Sequence, residues 1–124
     1  MQYFLSYDVG TSSVKSILID TKGNVLATAI EEYPFFTPNP GWVEQEPLDY
    51  WNAICKATNR IIQSTNISKE AIKGLALSTQ AQGVIPVDKN GTVLNRNISW
   101  VDGRAEEQAR KAMNYFGGKR IFKL

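Results

Sequence analysis

"YDVGTSSVK", residues 7–15, decides how this chain is read. An aspartate, a glycine, three hydroxyl residues and a lysine follow closely on the apolar run "YFL". Hydroxyls, a glycine and a cation in a loop after a strand suit a phosphate. The aspartate does not, because like charges repel. A divalent cation between carboxylate and phosphates removes the conflict: magnesium binds through one or two carboxylates plus phosphate oxygens and keeps several waters. On that reading Asp8 faces the metal, and Gly10 permits a positive φ and close backbone approach. Thr11, Ser12 and Ser13 supply hydroxyls and N–H groups, and Lys15 a point charge. The competing reading is a hydroxyl-rich hairpin without a ligand, with Asp8 capping its backbone. Loops that open a helix, such as the P-loop and the dinucleotide fingerprint, do not fit, because strand-like residues follow.

Working outward, "QYFLSYDVG" reads as a strand ending near Asp8. "SVKSILID" is a second strand, with Val14, Ser16 and Leu18 on one face and Lys15, Ile17 and Ile19 on the other. "DTKGN" turns the chain into a third strand, "VLATAIEEY", giving an antiparallel meander. "PFFTPNPG" is a loop. Pro47 suits the first position of a helix, where its missing N–H costs nothing. In that helix Leu48, Trp51, Cys55, Thr58 and Ile62 form one stripe, with Ile54 and Ile61 beside it. A short helical turn begins at Ser68. "KGLALST" reads as a buried strand, "GVIPV" as an edge strand or bulge around Pro86, and "NISWVD" as a last short strand. "GRAEEQARKAMNYF" is a helix with Ala105, Ala109, Met113 and Phe116 on one face. Its glutamates come early and Arg110 and Lys111 late, matching the dipole, and Gly117 and Gly118 stop it. "IDTKGNVL" and "VDKNGTVL" echo each other as two turns of the same chemistry. The apolar end "RIFKL" has the character of a segment that continues into something else.

The 124 residues suit one domain, and a formal charge of +2 gives no concentrated basic face for nucleic acid. No run is long and apolar enough to span a bilayer, and no basic start marks a signal peptide, so a cytoplasmic protein is expected. A single cysteine, Cys55, rules out a disulfide within the chain, and histidine is absent. That removes Ser-His and Cys-His nucleophile pairs and leaves acid–base work mainly to carboxylates.

Four segments, in order, carry a resemblance. Asp-x-Gly-Thr, residues 8–11, resembles the nucleotide-binding signature shared by sugar kinases, actin and chaperone ATPases. "GWVEQEPLDYW" (41–51), "ALSTQAQGVIPVDKNGTVL" (76–94) and "ISWVDGRAEEQA" (98–109) resemble segments of the FGGY carbohydrate kinases, and most of all the xylulokinase-like members. The resemblance implies an α/β, ribonuclease H-like (actin-like ATPase) fold. It implies that residues 1–124 are the N-terminal portion of the first domain of a two-domain sugar kinase. Its cofactors are ATP and magnesium, and its partner is a small sugar, with a homodimer as the assembly an exposed core would favour. The cofactor-binding residues carried over are Asp8, Gly10, Thr11, Ser12, Ser13 and Lys15, with Asp8 on the metal. The substrate residues are Ala81, Gln82, Trp100, Asp102 and Arg104. The general base, an aspartate in this family, is expected beyond Leu124.

In the substrate loop the family's Ser-Gly-Gln-Met-His-Gly stands here as Ser78-Thr79-Gln80-Ala81-Gln82-Gly83. Glutamine can donate to and accept from a sugar hydroxyl but cannot carry charge, so the identity of the sugar is left open. Trp100 is read either as a wall of the sugar site or as a core residue. Asp102 is either a substrate neighbour or the cap of the last helix, and Arg104 either a substrate neighbour or a partner of Glu107 or Asp102. Trp42, Glu44 and Gln45 are read as shaping the domain. An ATPase of the actin and chaperone type and a non-catalytic interaction module are the alternative functions.

Overall fold

The computed structural model describes residues 1–117. Gly118 and the "RIFKL" segment lie outside the described residues. Three strands open the chain: β1 (Tyr3–Val9), β2 (Ser13–Asp20) and β3 (Val25–Glu32). They pair antiparallel in sequence order, as the alternating pattern predicts. A two-residue strand, β4 (Glu44–Gln45), precedes helix α1 (Pro47–Thr65). A 3-10 turn at Lys69–Ala71 leads into β5 (Ile72–Thr79), which lies parallel to β1. The main sheet has the order β3-β2-β1-β5. Strand β6 (Asn97–Ile98) pairs with β4 in a second small sheet, and α2 (Glu106–Phe116) ends the described chain. No helix among the described residues is long and apolar enough to cross a membrane.

The core is one face of the meander covered by α1. Leu5, Tyr7 and Val9 of β1 lie beside Leu18, Ser16 and Val14 of β2, and all six are buried. The opposite β2 set, Lys15, Ile17 and Ile19, is the more exposed, as the alternation predicts. The helix presents Ala53, Ala57 and Ile61 to this face. That corrects the expected stripe: Leu48 and Trp51 are exposed, and Cys55 and Ile62 only half-buried. The physical reason is distance. Alanines at the contact let the helix axis approach the sheet closely, which bulky Leu48 and Trp51 would prevent. Pro47 does occupy the first helical turn, and Asn66, in a left-handed conformation, ends the helix.

Strand β5 exists as expected but is not buried. Leu75 and Leu77 are 67% and 64% exposed. They share the helix-facing side with Leu5 and Tyr7, but α1 packs over β2 and β3 and does not reach them. The result is an open groove of about 660 Å3 between α1 and β5, bordered by Trp51, Cys55, Ile62, Leu75 and Leu77. The face expected on the last helix is likewise unburied, since no residue of α2 is buried. That helix starts at Glu106, not Gly103, and Arg110 and Lys111 fall mid-helix, so no basic residue reaches its last turn. "GVIPV" does not form a strand. Val84 exchanges hydrogen bonds with Ile98 (3.0 and 2.9 Å), while Val87 bridges to Val93. The partner changes at Pro86, which has no N–H to extend a ladder. "NISWVD" keeps strand form only at its first two residues.

The two echoing turns have one chemistry. Asp20 Oδ1 accepts from the N–H groups of Lys22 and Asn24, and Asp88 Oδ1 from those of Asn90 and Thr92. Gly23 and Gly91 take φ of 84° and 82°, the left-handed region a side chain would disfavour.

Candidate functional site

Antiparallel β1–β2 and parallel β1–β5 bring three segments to one edge of the sheet: the end of β1, the start of β2 and the end of β5. This is the carboxyl edge of the parallel pair, where ligands bind in open α/β sheets. Asp8 lies directly opposite Lys15 on one side and Ser78 on the other. All three are exposed, on the face turned away from α1.

The β1–β2 turn has its carbonyls pulled into the fold. Tyr33 donates its hydroxyl to the Gly10 carbonyl and its backbone N–H to the Ser12 carbonyl, the latter at 3.1 Å. Gln45 Nε2 donates to the Thr11 carbonyl at 2.8 Å. The oxygens that would repel an anion are therefore occupied from inside. What the turn has left to offer is N–H groups and the hydroxyls of Ser12 and Ser13, an arrangement suited to anionic oxygen. Burial, with smaller contributions from Tyr50 and Asp8, pushes the Tyr33 hydroxyl up to about 12, so it stays a donor at neutral pH. Gly10 does not take the positive φ expected of it. Its requirement is space: its N–H donates to the Ser13 carbonyl at 2.9 Å, and a Cβ there would stand 3.2 Å from that oxygen.

Among the described residues no cluster of three or more carboxylate, cysteine or histidine side chains could cage a metal. One exposed carboxylate, Asp8, beside hydroxyls and Lys15 matches the donor set of a magnesium ion that takes its remaining ligands from phosphate and water.

The loop after β5 continues the pairing, with the Gln80 N–H on the Val9 carbonyl at 2.8 Å. Ala81 and Gln82 follow, both exposed. Gln82 takes a φ of 66°, one of two non-glycine residues with a positive φ among the described residues. Such a conformation costs on the order of 1 kcal/mol and marks an over-determined loop. Beneath the loop lies a buried polar cluster. Asn97 Nδ2 donates to the Tyr50 hydroxyl at 2.7 Å, and Tyr50 donates to Gln45 Oε1 at 2.9 Å. Gln80 Nε2 approaches Tyr50 and Gln45 more loosely, at 3.3 and 3.4 Å.

Trp100 reaches the β1–β2 turn: its indole N–H donates to Thr11 Oγ1 at 3.1 Å, and the ring is about half exposed. Asp102 and Arg104 lie deeper. Asp102 Oδ1 accepts from the Arg104 N–H (2.9 Å) and Nε (2.8 Å). Its Oδ2 accepts from the Val43 N–H (2.6 Å) and Arg104 Nη2 (2.9 Å). Arg104 Nη2 also meets Glu44 Oε1 at 2.8 Å, and the guanidinium stacks 3.9 Å above the Trp42 ring. The Arg104 hydrogen bonds hold the Asp102 carboxyl down to about 2, against the opposing effect of burial. The same two carboxylates raise Arg104. With four donors on two oxygens, Asp102 has no lone pair left for a sugar hydroxyl. Nor does it cap the last helix, whose N-cap is Ala105, with no side-chain cap bond. Of the two partners expected for Arg104, Asp102 is the one found, and Glu107 pairs with Lys111 instead.

The fold thus gathers Asp8, the 10–13 turn, Lys15, Gln82 and Trp100 near one edge, and withdraws Asp102 and Arg104 into a clasp that holds Trp100's segment against β4. Tyr33, Tyr50, Asn97 and Ser78 were not singled out from sequence as site residues. Ser78 follows from the Asp8 register once β5 is paired to β1. Asn97 carries no local signal.

The sequence pattern of the FGGY family of carbohydrate kinases, N-terminal domain, matches residues 3–124. A xylulose kinase of Staphylococcus epidermidis is 37% identical over 113 residues, covering 91% of this chain and 23% of the relative. A glycerol kinase of Aquifex aeolicus is 35% identical over 116 residues, covering 93% and 23%. The crystal structure of a ligand-bound xylulose kinase from Lactobacillus acidophilus superposes with a TM-score of 0.90 at 24% identity, over 99% of this chain and 24% of that one. The chain therefore spans less than a quarter of the length of the curated relatives it matches.

Proposed function

Since the chain belongs to the FGGY family of carbohydrate kinases, we propose that it contributes the phosphate-facing turn and part of the sugar site of a kinase. That kinase transfers the γ-phosphoryl group of ATP to a hydroxyl of a pentulose or a related sugar or polyol. The observation that carries this reading is the indole of Trp100 hydrogen-bonded to Thr11. It sets the aromatic face suited to a sugar's C–H side against the turn suited to phosphate. Donor and acceptor of the phosphoryl group are thereby held side by side, and transfer of this kind depends mainly on positioning and charge neutralisation.

On this reading Gly10 keeps the turn tight, Thr11, Ser12 and Ser13 meet the terminal phosphates, and Lys15 offsets their charge. Asp8 would hold a magnesium ion, which would supply charge neutralisation for the transferred group. Ala81 and Gln82 face the sugar beside Trp100, and Gln82 reads a hydroxyl. Asp102 and Arg104 act through Trp100's segment, as positioning residues. The general base is an aspartate downstream of Leu124. The reading includes a cytoplasmic location, where ATP is available, and a homodimer as the assembly to test. An actin- or chaperone-type ATPase and a non-catalytic module are both disfavoured by the family match.

A coupled ADP-release assay on the full-length protein, over pentuloses, hexonates and polyols, tests the reading. Sugar-dependent ADP from at least one of them is expected. ADP release indifferent to every sugar would favour the ATPase alternative.

A further inference from the structure

The buried polar cluster under the loop forms a chain whose hydrogen-bond directions are forced. The Thr11 carbonyl can only accept, so Gln45 must present its amide nitrogen there. Gln45 Oε1 then faces Tyr50 and must accept, which uses the single phenolic proton. The Tyr50 oxygen is left to accept, and Asn97 supplies Nδ2. Asn97 Oδ1 consequently has no partner, although Asn97 is only 3% exposed. That oxygen lies under Gly83, where a Cβ would approach it to 2.7 Å. Gln45, at 1% exposure, is equally cut off from water. A buried polar chain in which each hydrogen bond fixes the direction of the next is stiff and costly to interrupt.

The two ends of this chain are the two halves of the proposed site. One end is the carbonyl of Thr11, in the phosphate-facing turn. The other is the carboxamide packed beneath Gly83, next to left-handed Gln82. We propose that Tyr50, at the centre, is a positioning residue: its hydroxyl sets the spacing between the phosphate-facing turn and the sugar-facing loop. This role rests on the kinase reading above. Tyr50 touches neither ligand in it and acts only through Gln45 and Asn97.

Tyr50→Phe in the full-length protein is the test. Phenylalanine keeps the edge-to-face contact with Tyr33 (centroids 5.0 Å apart) and removes only the hydroxyl. Gln45 Oε1 then keeps only the long Gln80 contact, and Asn97 Nδ2 loses its partner. Two readouts apply. With the best sugar, kcat should fall about 10- to 100-fold, because small misplacements of reacting groups cost that much. The sugar KM should stay within about threefold, since no direct contact is lost. Without any ligand, amide exchange of residues 10–13 and 80–83 should rise together by about tenfold while Ala57–Ile61 is unchanged. An unchanged kcat would overturn the proposal. So would exchange that rises in only one segment, or that spreads through α1 as general loosening. Wild-type protein without sugar-dependent ADP release would refute the kinase reading itself and remove the role from Tyr50. The exchange arm needs no turnover, so the two failures are told apart.

Discussion

Gly83→Ala puts a number on how tightly the loop after β5 is packed. An alanine here would ordinarily stabilise by about 0.4–1 kcal/mol, by restricting the unfolded chain. The structure reverses that sign. The new Cβ would stand 2.7 Å from Asn97 Oδ1 and 3.3 Å from Nδ2. Asn97 is buried and anchored by its 2.7 Å bond to Tyr50, so it cannot swing into solvent. Relief requires either a backbone shift, at about 1–3 kcal/mol for overpacking, or loss of the Asn97–Tyr50 bond, at about 1 kcal/mol plus the cost of orphaned groups. The net expectation is destabilisation of about 1–2 kcal/mol, the overpacking cost less the unfolded-state gain. Asn97→Ala alone removes the same bond. In the double variant the carboxamide is gone and the methyl has room, so the two losses should fall short of their sum by about 1 kcal/mol. Urea denaturation of the four full-length proteins measures this directly. Additive losses, or a Gly83→Ala variant more stable than wild type, would refute the packing described here.

Three further outcomes follow from the site. Asp8→Asn should cut turnover far more than sugar affinity measured without nucleotide, because the carboxylate is assigned to the metal and phosphates. Wild-type turnover would make Asp8 a turn residue only. Gln82→Ala should lower kcat/KM for the true substrate by on the order of 1–3 kcal/mol once sugar covers the loop. The loss should shrink for the deoxy sugar lacking the contacted hydroxyl, and equal losses for all sugars would show that Gln82 supports the loop without reading it. Asp102, held down to about 2 by Arg104, contributes stability that is complete above its ordinary 3.8 and lost as pH falls through about 2. Asp20 and Asp88 are lowered in the same sense, so acid titrations of wild type and Asp102→Asn should be compared. The variant should show the shallower loss of stability over that window.

The sequence was most legible where a period or a turn rule applied. Val14, Ser16 and Leu18 alternate cleanly, and the meander follows. The Asp-Gly turns at 20–23 and 88–91 carry their own hydrogen-bond chemistry. The buried helix face departs from the expected stripe because bulk does not by itself decide burial. Two apolar stripes overlap in α1, and the alanine stripe wins because it permits close approach to the sheet. The "KGLALST" strand forms as read but is exposed rather than buried, since apolar content cannot say whether a covering layer lies over it. The polar cluster was the least legible part. Gln45, Gln80 and Asn97 follow no period, and they meet only after β4 pairs with β6 and β5 pairs with β1. The pairing of Arg104 with Asp102 was one of two partners legible in the sequence, yet the choice between them, and the clasp on Glu44 and Trp42, needed the fold.

Phosphorus NMR of the full-length protein with Mg-ATP and a panel of ketoses and polyols tests the central claim most directly, because it shows where the γ-phosphoryl group ends up. The account predicts a new phosphomonoester resonance that appears with at least one sugar and grows in step with ADP. Release of inorganic phosphate alone, at a rate independent of every sugar present, would contradict it.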